Sequence, residues 1–315
     1  MNEYILSIVI PHYNIPEMLE KLLDSIPKRD DIQVIVVDDN STLNTDKLDE
    51  VIKSNSDRKL EFCRNHTGKN SAGTCRNIGI EKAKGKWIVF ADSDDYFVDG
   101  WVEKLEPFFD SDKEMVYYPQ TSIFLDTGEL ATRHVFFAEI VSDYCDNPNH
   151  ENEIRLRYGA PAALIAMFSR EYLTRIGASF DNTLTEEDKK FIFACGDNLK
   201  KFACISEPVY CVTARSDSLT ATKNFEKFDR HQRVQIKRCG ILYRKLSKAD
   251  IKALGLENVG LQIMYTTIMN GYGIKQAFVY HKLEKEEKVP LMLEFKPLVL
   301  IKQLIRSLWK RIMKK

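Results

Sequence analysis

The sequence has no surplus of charge. Its 46 basic and 46 acidic residues cancel over 315 positions, which excludes a global basic footprint for nucleic acid and leaves electrostatic work to local clusters. It also lacks paired cysteines. Seven are scattered, at Cys63, Cys75, Cys145, Cys195, Cys204, Cys211 and Cys239, with no CxxC spacing. Neither a disulfide framework nor a thiolate zinc site is expected, and the pattern fits a reducing cytoplasm. No apolar run approaches a membrane span. The opening Met1-Asn-Glu-Tyr-Ile-Leu6 has no basic stretch before a strand pattern begins, so no signal peptide is expected. Internal repeats are absent.

What is present is organised around Lys86 to Phe97. Five apolar residues, Trp87 to Ala91, run straight into Asp92, Ser93, Asp94 and Asp95. An unbroken apolar run with β-branched and aromatic members predicts a strand buried on both faces. Carboxylates crowded just past its end repel one another unless a cation sits between them, and a hard divalent ion with oxygen ligands is the usual solution. The competing reading is a solvated acidic turn, with Asp95 capping a helix that starts near Asp99.

The same strand-then-polar pattern occurs twice more upstream. Leu6 to Ile10 is a first strand closed by Pro11-His12-Tyr13-Asn14, and Gln33 to Val37 is a second, running into Asp38-Asp39-Asn40-Ser41. Helices are predicted between them: one capped by Asn14, with Met18, Leu19, Leu22, Leu23 and Ile26 at helical spacing, one near 45–54, and one over 72–84 that stops at Gly85. A weak strand near 60–63 and a helix marked by Trp101, Val102, Leu105, Phe108 and Phe109 complete this part. Alternation of this kind means an α/β domain with a mostly parallel sheet flanked by helices, whose ligands sit at the carboxyl ends of the strands. All three polar clusters therefore converge on one edge.

Further along, short apolar runs at 115–118, 123–125 and 135–137 predict strands or lid-like loops. Helices are expected over 171–176 and 185–194, and one strand within 204–212. Thr185 followed by Asp188 resembles a capping box, although a carboxylate at a helix start also suits a general base. Arg76, after Gly73, is either a solvated helix residue or a guanidinium that meets phosphate or carboxylate. Arg215, with Ser216, Ser218 and Thr220, is a loop that closes over phosphates or a polar surface loop. Tyr13 either covers the sheet edge or stacks on a flat base, and Asp38-Asp39 suits a turn, a ribose hydroxyl or a base N–H.

Four segments, Ser7 to Asn14, Val36 to Ser41, Gly73 to Gly79 and Val89 to Asp95, resemble in order and spacing the family-2 glycosyltransferases. The resemblance is strong over about 5–100, looser through Glu187-Asp188 and 208–220, and absent beyond. It implies the GT-A fold and inverting transfer of a sugar from a nucleoside diphosphate sugar, with a UDP-sugar as the expected donor. Pro11, Tyr13 and Asp39 would line the base, with Arg76 nearby. Asp92 would approach the ribose and sugar, Ser93 would belong to the donor-binding set, Asp94 would hold Mn2+ or Mg2+ on the diphosphate, and Asp188 would deprotonate the acceptor. Arg215 matches a phosphate-side position. One departure concerns Glu186, which stands where the family commonly has a glycine before its Glu-Asp pair.

The expected organisation is a catalytic domain over 1–220, with a nucleotide-sugar half to about 100 and an acceptor half after it, followed by a helical region over 221–315. After Glu294 acids are absent, while Lys296, Lys302, Arg306, Lys310, Arg311, Lys314 and Lys315 accumulate opposite Ile301, Leu304, Ile305, Leu308, Trp309, Ile312 and Met313. Such a basic amphipathic helix lies on an anionic bilayer or docks on the protein's own core. The resemblance, together with this helix, implies bacterial surface polysaccharide or glycolipid assembly, cytoplasmic, with peripheral contact at the inner membrane face and a glycan or lipid-linked acceptor. A sugar nucleotidyltransferase would open with a Gly-rich basic loop where Pro11 to Asn14 stands, and an aspartate-nucleophile phosphatase would want Ser or Thr at Asp95. From another class comes a non-catalytic sugar-nucleotide-binding or scaffold subunit.

Overall fold

The computed structural model describes residues 4–159, 162–183, 186–214 and 224–293. The chain divides into two compact units, 1–223 and 224–315. The first alternates β1 (Tyr4–His12), α1 (Pro16–Asp24), β2 (Ile32–Asp38), α2 (Thr45–Ser54), β3 (Leu60–Arg64), α3 (Ala72–Lys82) and β4 (Gly85–Phe90). There follow β5 (Tyr96–Phe97), α4 (Trp101–Leu105), β6 (Met115–Tyr117), β7 (Gln120–Phe124), α5 (Val135–Asp146) and α6 (His150–Ile154). The unit ends with β8 (Ala166–Ser169), α7 (Arg170–Ile176), α8 (Asp188–Asn198), β9 (Phe202–Cys204) and β10 (Tyr210–Ala214).

Seven strands form one sheet in the order β3-β2-β1-β4-β8-β6-β9, and β5-β10-β7 form a small second sheet. β1 pairs in parallel with β2 and β4, and only β8 runs against its neighbours in the large sheet. Side-chain alternation sends Leu6, Ile8 and Ile10 to one face, with Leu19, Leu22, Leu48 and Val51, and Val9 to the other, with Cys75, Phe168 and Phe191. Helices cover both faces, so the central strands are buried and largely apolar, and the buried polar pair within them is satisfied internally, Ser7 Oγ donating to Gln33 Oε1 at 2.7 Å.

Five local expectations change. Asn14 does not cap α1, because at φ 58° it cannot adopt the extended cap conformation. Its Oδ1 instead accepts from the N–H groups of Thr42 and Leu43, at 2.8 and 2.9 Å. Gly85 is not a helix stop but the first residue of β4, where a Cβ would lie 2.6 Å from the Ser7 nitrogen. Residues 135–137 open α5 rather than a strand. The single strand expected within 204–212 is two, β9 in the large sheet and β10 in the small one. Asp95 caps no helix, since Gly100 precedes α4.

The second unit, as described over 224–293, is helical: α9 (Phe225–Lys245), α10 (Lys248–Ala253), α11 (Val259–Met269) and α12 (Gly273–Glu286). Asn224 caps α9 and a Ser247–Asp250 capping box starts α10. Among the described residues no helix is long and apolar enough to cross a membrane. Arg215, Thr185 and the basic segment 296–315 lie outside the described residues.

Candidate active site

Because β1, β2 and β4 are parallel, the residues after each meet at one edge. On the α1–α2 face, His12 Nδ1 lies 3.0 Å from Asp38 Oδ1, and Ser41 also donates to that oxygen. Ser41 Oγ accepts from the Asn14 N–H at 2.8 Å, so one buried network ties the loop after β1 to the loop after β2. Burial works to raise the Asp38 pKa, but the hydrogen bonds from His12 and Ser41 outweigh it and hold the carboxyl below its usual range. On the α3 face lies Asp39, which accepts from Asn65 Nδ2 at 2.7 Å; burial first and then the Asp39 charge push the Cys75 thiol up. Tyr13 stands 56% exposed beside them.

The acidic turn is held from two sides. Ser93 Oγ donates to the Pro11 carbonyl. From β10, the Thr213 N–H donates to Asp95 Oδ1 at 2.7 Å and its hydroxyl to the Asp94 carbonyl at 2.6 Å. The Asp92 N–H donates to the Tyr210 hydroxyl at 2.8 Å. Asp92, Asp94 and Asp95 each bring a carboxylate oxygen within 4.8 Å of the others. Burial, then the charges of Asp94 and Asp92, push Asp95 well above the usual carboxylate range. This donor set of crowded hard oxygens, with Asp92 and Asp94 partly open to solvent, fits a divalent cation.

Helix α3 connects this turn to a segment a hundred residues away. Arg76 is buried between Asp92 Oδ1, 2.6 Å from Nη2, and Glu187 Oε1, 2.9 Å from Nη1. Burial works against its charge, but those two carboxylates outweigh it and raise its pKa. Asn77 exchanges two hydrogen bonds with the Phe180 backbone, at 2.8 and 3.0 Å. Ser71 and Thr74 both donate to Asn182 Oδ1 at 3.0 Å. At Gly73 a Cβ would fall 2.2 Å from the Asp181 carbonyl oxygen. Thus the segment before α8 lies flat on the start of α3, and only glycine admits the contact.

Asp188 is the first residue of α8 and Glu187 its N-cap, without a side-chain capping bond. Burial first, then the neighbouring Glu187 charge, raises the Asp188 pKa to about 7, against the opposing pull of Arg76. Glu186 has φ 69°, the left-handed region that favours glycine, and its carboxylate pairs with Lys189. Glutamate thus stands here in a backbone conformation that glycine adopts freely. Sequence reasoning missed Glu187 as the second partner of Arg76, Asn65 as the partner of Asp39, and Tyr210 and Thr213 as the groups that aim the acidic turn.

The model of the family described as "Glycosyl transferase family 2" matches residues 7–177. The chain belongs to glycosyl transferase family 2. It is 24% identical over 303 residues to the glycosyltransferase GlyG of Streptococcus pneumoniae, a match that takes in 90% of this chain and 92% of that one. Over 94 residues it is 35% identical to the poly(ribitol-phosphate) beta-N-acetylglucosaminyltransferase TarS of Staphylococcus aureus, covering 29% of this chain and 16% of TarS. The crystal structure of TarS 1-349 with UDP-GlcNAc superposes with a TM-score of 0.67 at 19% identity, covering 90% of this chain and 81% of that one. A mannosyltransferase of Pyrobaculum calidifontis, solved with GDP-Man and Mn2+, superposes at 0.58 and 15% identity, covering 96% and 79%. The fold is GT-A and the protein a transferase, as the resemblance implied.

Proposed function

We propose that the chain moves a sugar from a nucleoside diphosphate sugar, a UDP-sugar by preference, to a hydroxyl of a glycan or lipid-linked acceptor, inverting the anomeric carbon. The observation that carries this reading is the Arg76 bridge. It joins the strand-end carboxylates, suited to an activated donor, to a segment whose Asp188 has a pKa of about 7, near the optimum for a general base. Pro11, Tyr13 and Asp39 line the base, with the open Tyr13 ring available for stacking. Arg76 acts on the donor side through Asp92, while Asp92 and Ser93 adjoin the ribose and sugar. Arg215 belongs to the phosphate side. UDP is favoured because TarS was solved with UDP-GlcNAc and with UDP.

Asp94, beside Asp92, would hold the Mn2+ or Mg2+ ion that neutralises the diphosphate as a leaving group. Asp188 takes the hydroxyl proton of the acceptor. The freed oxygen attacks the anomeric carbon from the face opposite the diphosphate, the carbon–oxygen bond to phosphate breaks, and its electron pair leaves with the nucleoside diphosphate. The domain roles follow: 1–220 catalyses, with the donor bound by about 1–100 and the acceptor by 101–220, and 221–315 serves attachment, at the inner face of a bacterial membrane during surface polysaccharide assembly. A non-catalytic scaffold would leave the near-neutral Asp188 without a task.

The test is a thermal shift with UDP-sugars, with and without Mn2+, beside an acceptor-dependent transfer assay. Asp94→Ala should lose the metal-dependent shift and turnover together. Asp188→Asn should keep the shift and lose transfer. Acceptor-dependent turnover undiminished in Asp188→Asn would sink the assignment of the base.

A further inference from the structure

From Asn258 to Leu283 the sequence has no acidic residue, a stretch that includes all of α11 and most of α12. Around the turn joining these helices, apolar side chains face outward. Ile268 and Met269 in the last turn of α11 are 43% and 37% exposed, and Ile274, Phe278 and Val279 on α12 are 62%, 60% and 45% exposed. Ile274, Phe278 and Lys282 follow at four-residue intervals and so form one row. Lys275 and Val279 form the row beside it. Both lysines are exposed.

The opposite side of α12, with Ala277, Tyr280 and Glu284, is buried against α9 and α11. The helix therefore has a satisfied core face and a second apolar face left in solvent. Tyr272, in the turn, lies against Phe225 and Phe228, with ring centroids 5.1 and 4.5 Å away, which extends the face to the start of α9. The carboxylates on that first stretch of α9, Glu226 and Asp229, are engaged by Arg230 and Arg233 at 3.2 and 2.8 Å.

Charge decides what covers such a face. Outward apolar residues among lysines, with no carboxylate in the hairpin tip, match the boundary between anionic head groups and acyl chains. We propose that the α11–α12 hairpin lies on an anionic lipid surface, with Ile274 and Phe278 entering the acyl boundary and Lys275 and Lys282 meeting phosphate head groups. In sequence the segment 296–315 of the same unit has a matching composition, seven basic residues and no acid. This extends the reading of a membrane-borne acceptor, and its primary readout, vesicle binding, is independent of transfer.

The experiment is co-sedimentation of the full chain with vesicles of phosphatidylcholine alone and of an equal mixture with phosphatidylglycerol. Partitioning should be about tenfold stronger on the anionic vesicles and weaken with salt. Ile274→Glu with Phe278→Glu should lose about tenfold, with helical content and transfer to a water-soluble acceptor unchanged. In a Trp309→Phe background, Phe278→Trp should be quenched by brominated acyl chains, since Trp87 and Trp101 are buried. The proposal is overturned if the wild-type chain ignores anionic vesicles, or if the double variant binds them equally well. An unquenched Phe278→Trp also overturns it. So does a dimer that the double variant dissolves, which would give the face to a second copy.

Discussion

Replacing Asp188 by Asn should make the protein inactive and, at alkaline pH, more stable. Burial and Glu187 raise the carboxyl from its ordinary 3.8 to about 7, so the folded state holds this proton more tightly than the unfolded chain. The favourable contribution is complete below the unfolded value and is lost as pH rises through about 7. Raising the carboxyl from 3.8 to about 7 corresponds to about 4 kcal/mol at pH 8, an upper figure because the residue keeps some contact with solvent. At pH 5 the same linkage costs under about 2 kcal/mol. Asparagine cannot ionise. Relative to the wild type, Asp188→Asn should therefore gain about 2–3 kcal/mol between pH 5 and pH 8, roughly 5–10 °C in Tm for a unit of this size. The assay is the melting temperature of both proteins in chelator at several pH values, beside the pH profile of wild-type kcat. The latter should fall about tenfold per unit below pH 7. Parallel Tm curves, or a flat kcat from about pH 5.5 to 8, would refute the placement of this pKa and with it the base.

Other expectations rest on neighbouring contacts. Gly73→Ala drives a Cβ into the Asp181 carbonyl oxygen at 2.2 Å. It should cost about 1–3 kcal/mol of stability and lower kcat more than it raises donor KM; an unchanged kcat would show that the 180–188 segment does not hold the base. Asn77→Ala removes both bonds to the Phe180 backbone and should cost about 1–3 kcal/mol in urea denaturation, with Asn77→Asp recovering only the bond from the Phe180 N–H. Glu186→Gly relieves a left-handed backbone at φ 69° and should be tolerated, changing stability by no more than about 1 kcal/mol despite the lost pairing with Lys189. A larger loss would mean that the Lys189 pair fixes the turn.

The α/β alternation was legible because β1, β2 and β4 each carry an apolar run, Ile8 to Ile10, Val34 to Val37 and Trp87 to Phe90, and the helices between them repeat at helical spacing. Both patterns are local. Most of what failed to be read depends on contacts that local spacing does not encode. Arg76 meets Glu187 across 111 residues and Thr213 meets Asp95 across 118, and nothing near either residue announces the partner. The residues of β9 and β10 read as one strand because each is apolar, while the chain between them crosses from one sheet to another. Asn14 reads as a cap by residue type, since only its φ reveals the clasp on Thr42 and Leu43. Residues 135–137 illustrate that a three-residue apolar run does not distinguish a strand from a helix start.

The stitching of the acidic turn by β10 also bears on the order in which the protein matures. Its three aspartates are synthesised early, as part of a β-α-β framework whose contacts are near in sequence, whereas Tyr210 and Thr213 emerge more than a hundred residues later. Contacts of such separation close late in folding, after the local ones that make them worthwhile. A growing chain can therefore complete most of its central sheet while its chemistry is still unassembled. A chain released before β10 keeps its three carboxylates and lacks the groups that aim them.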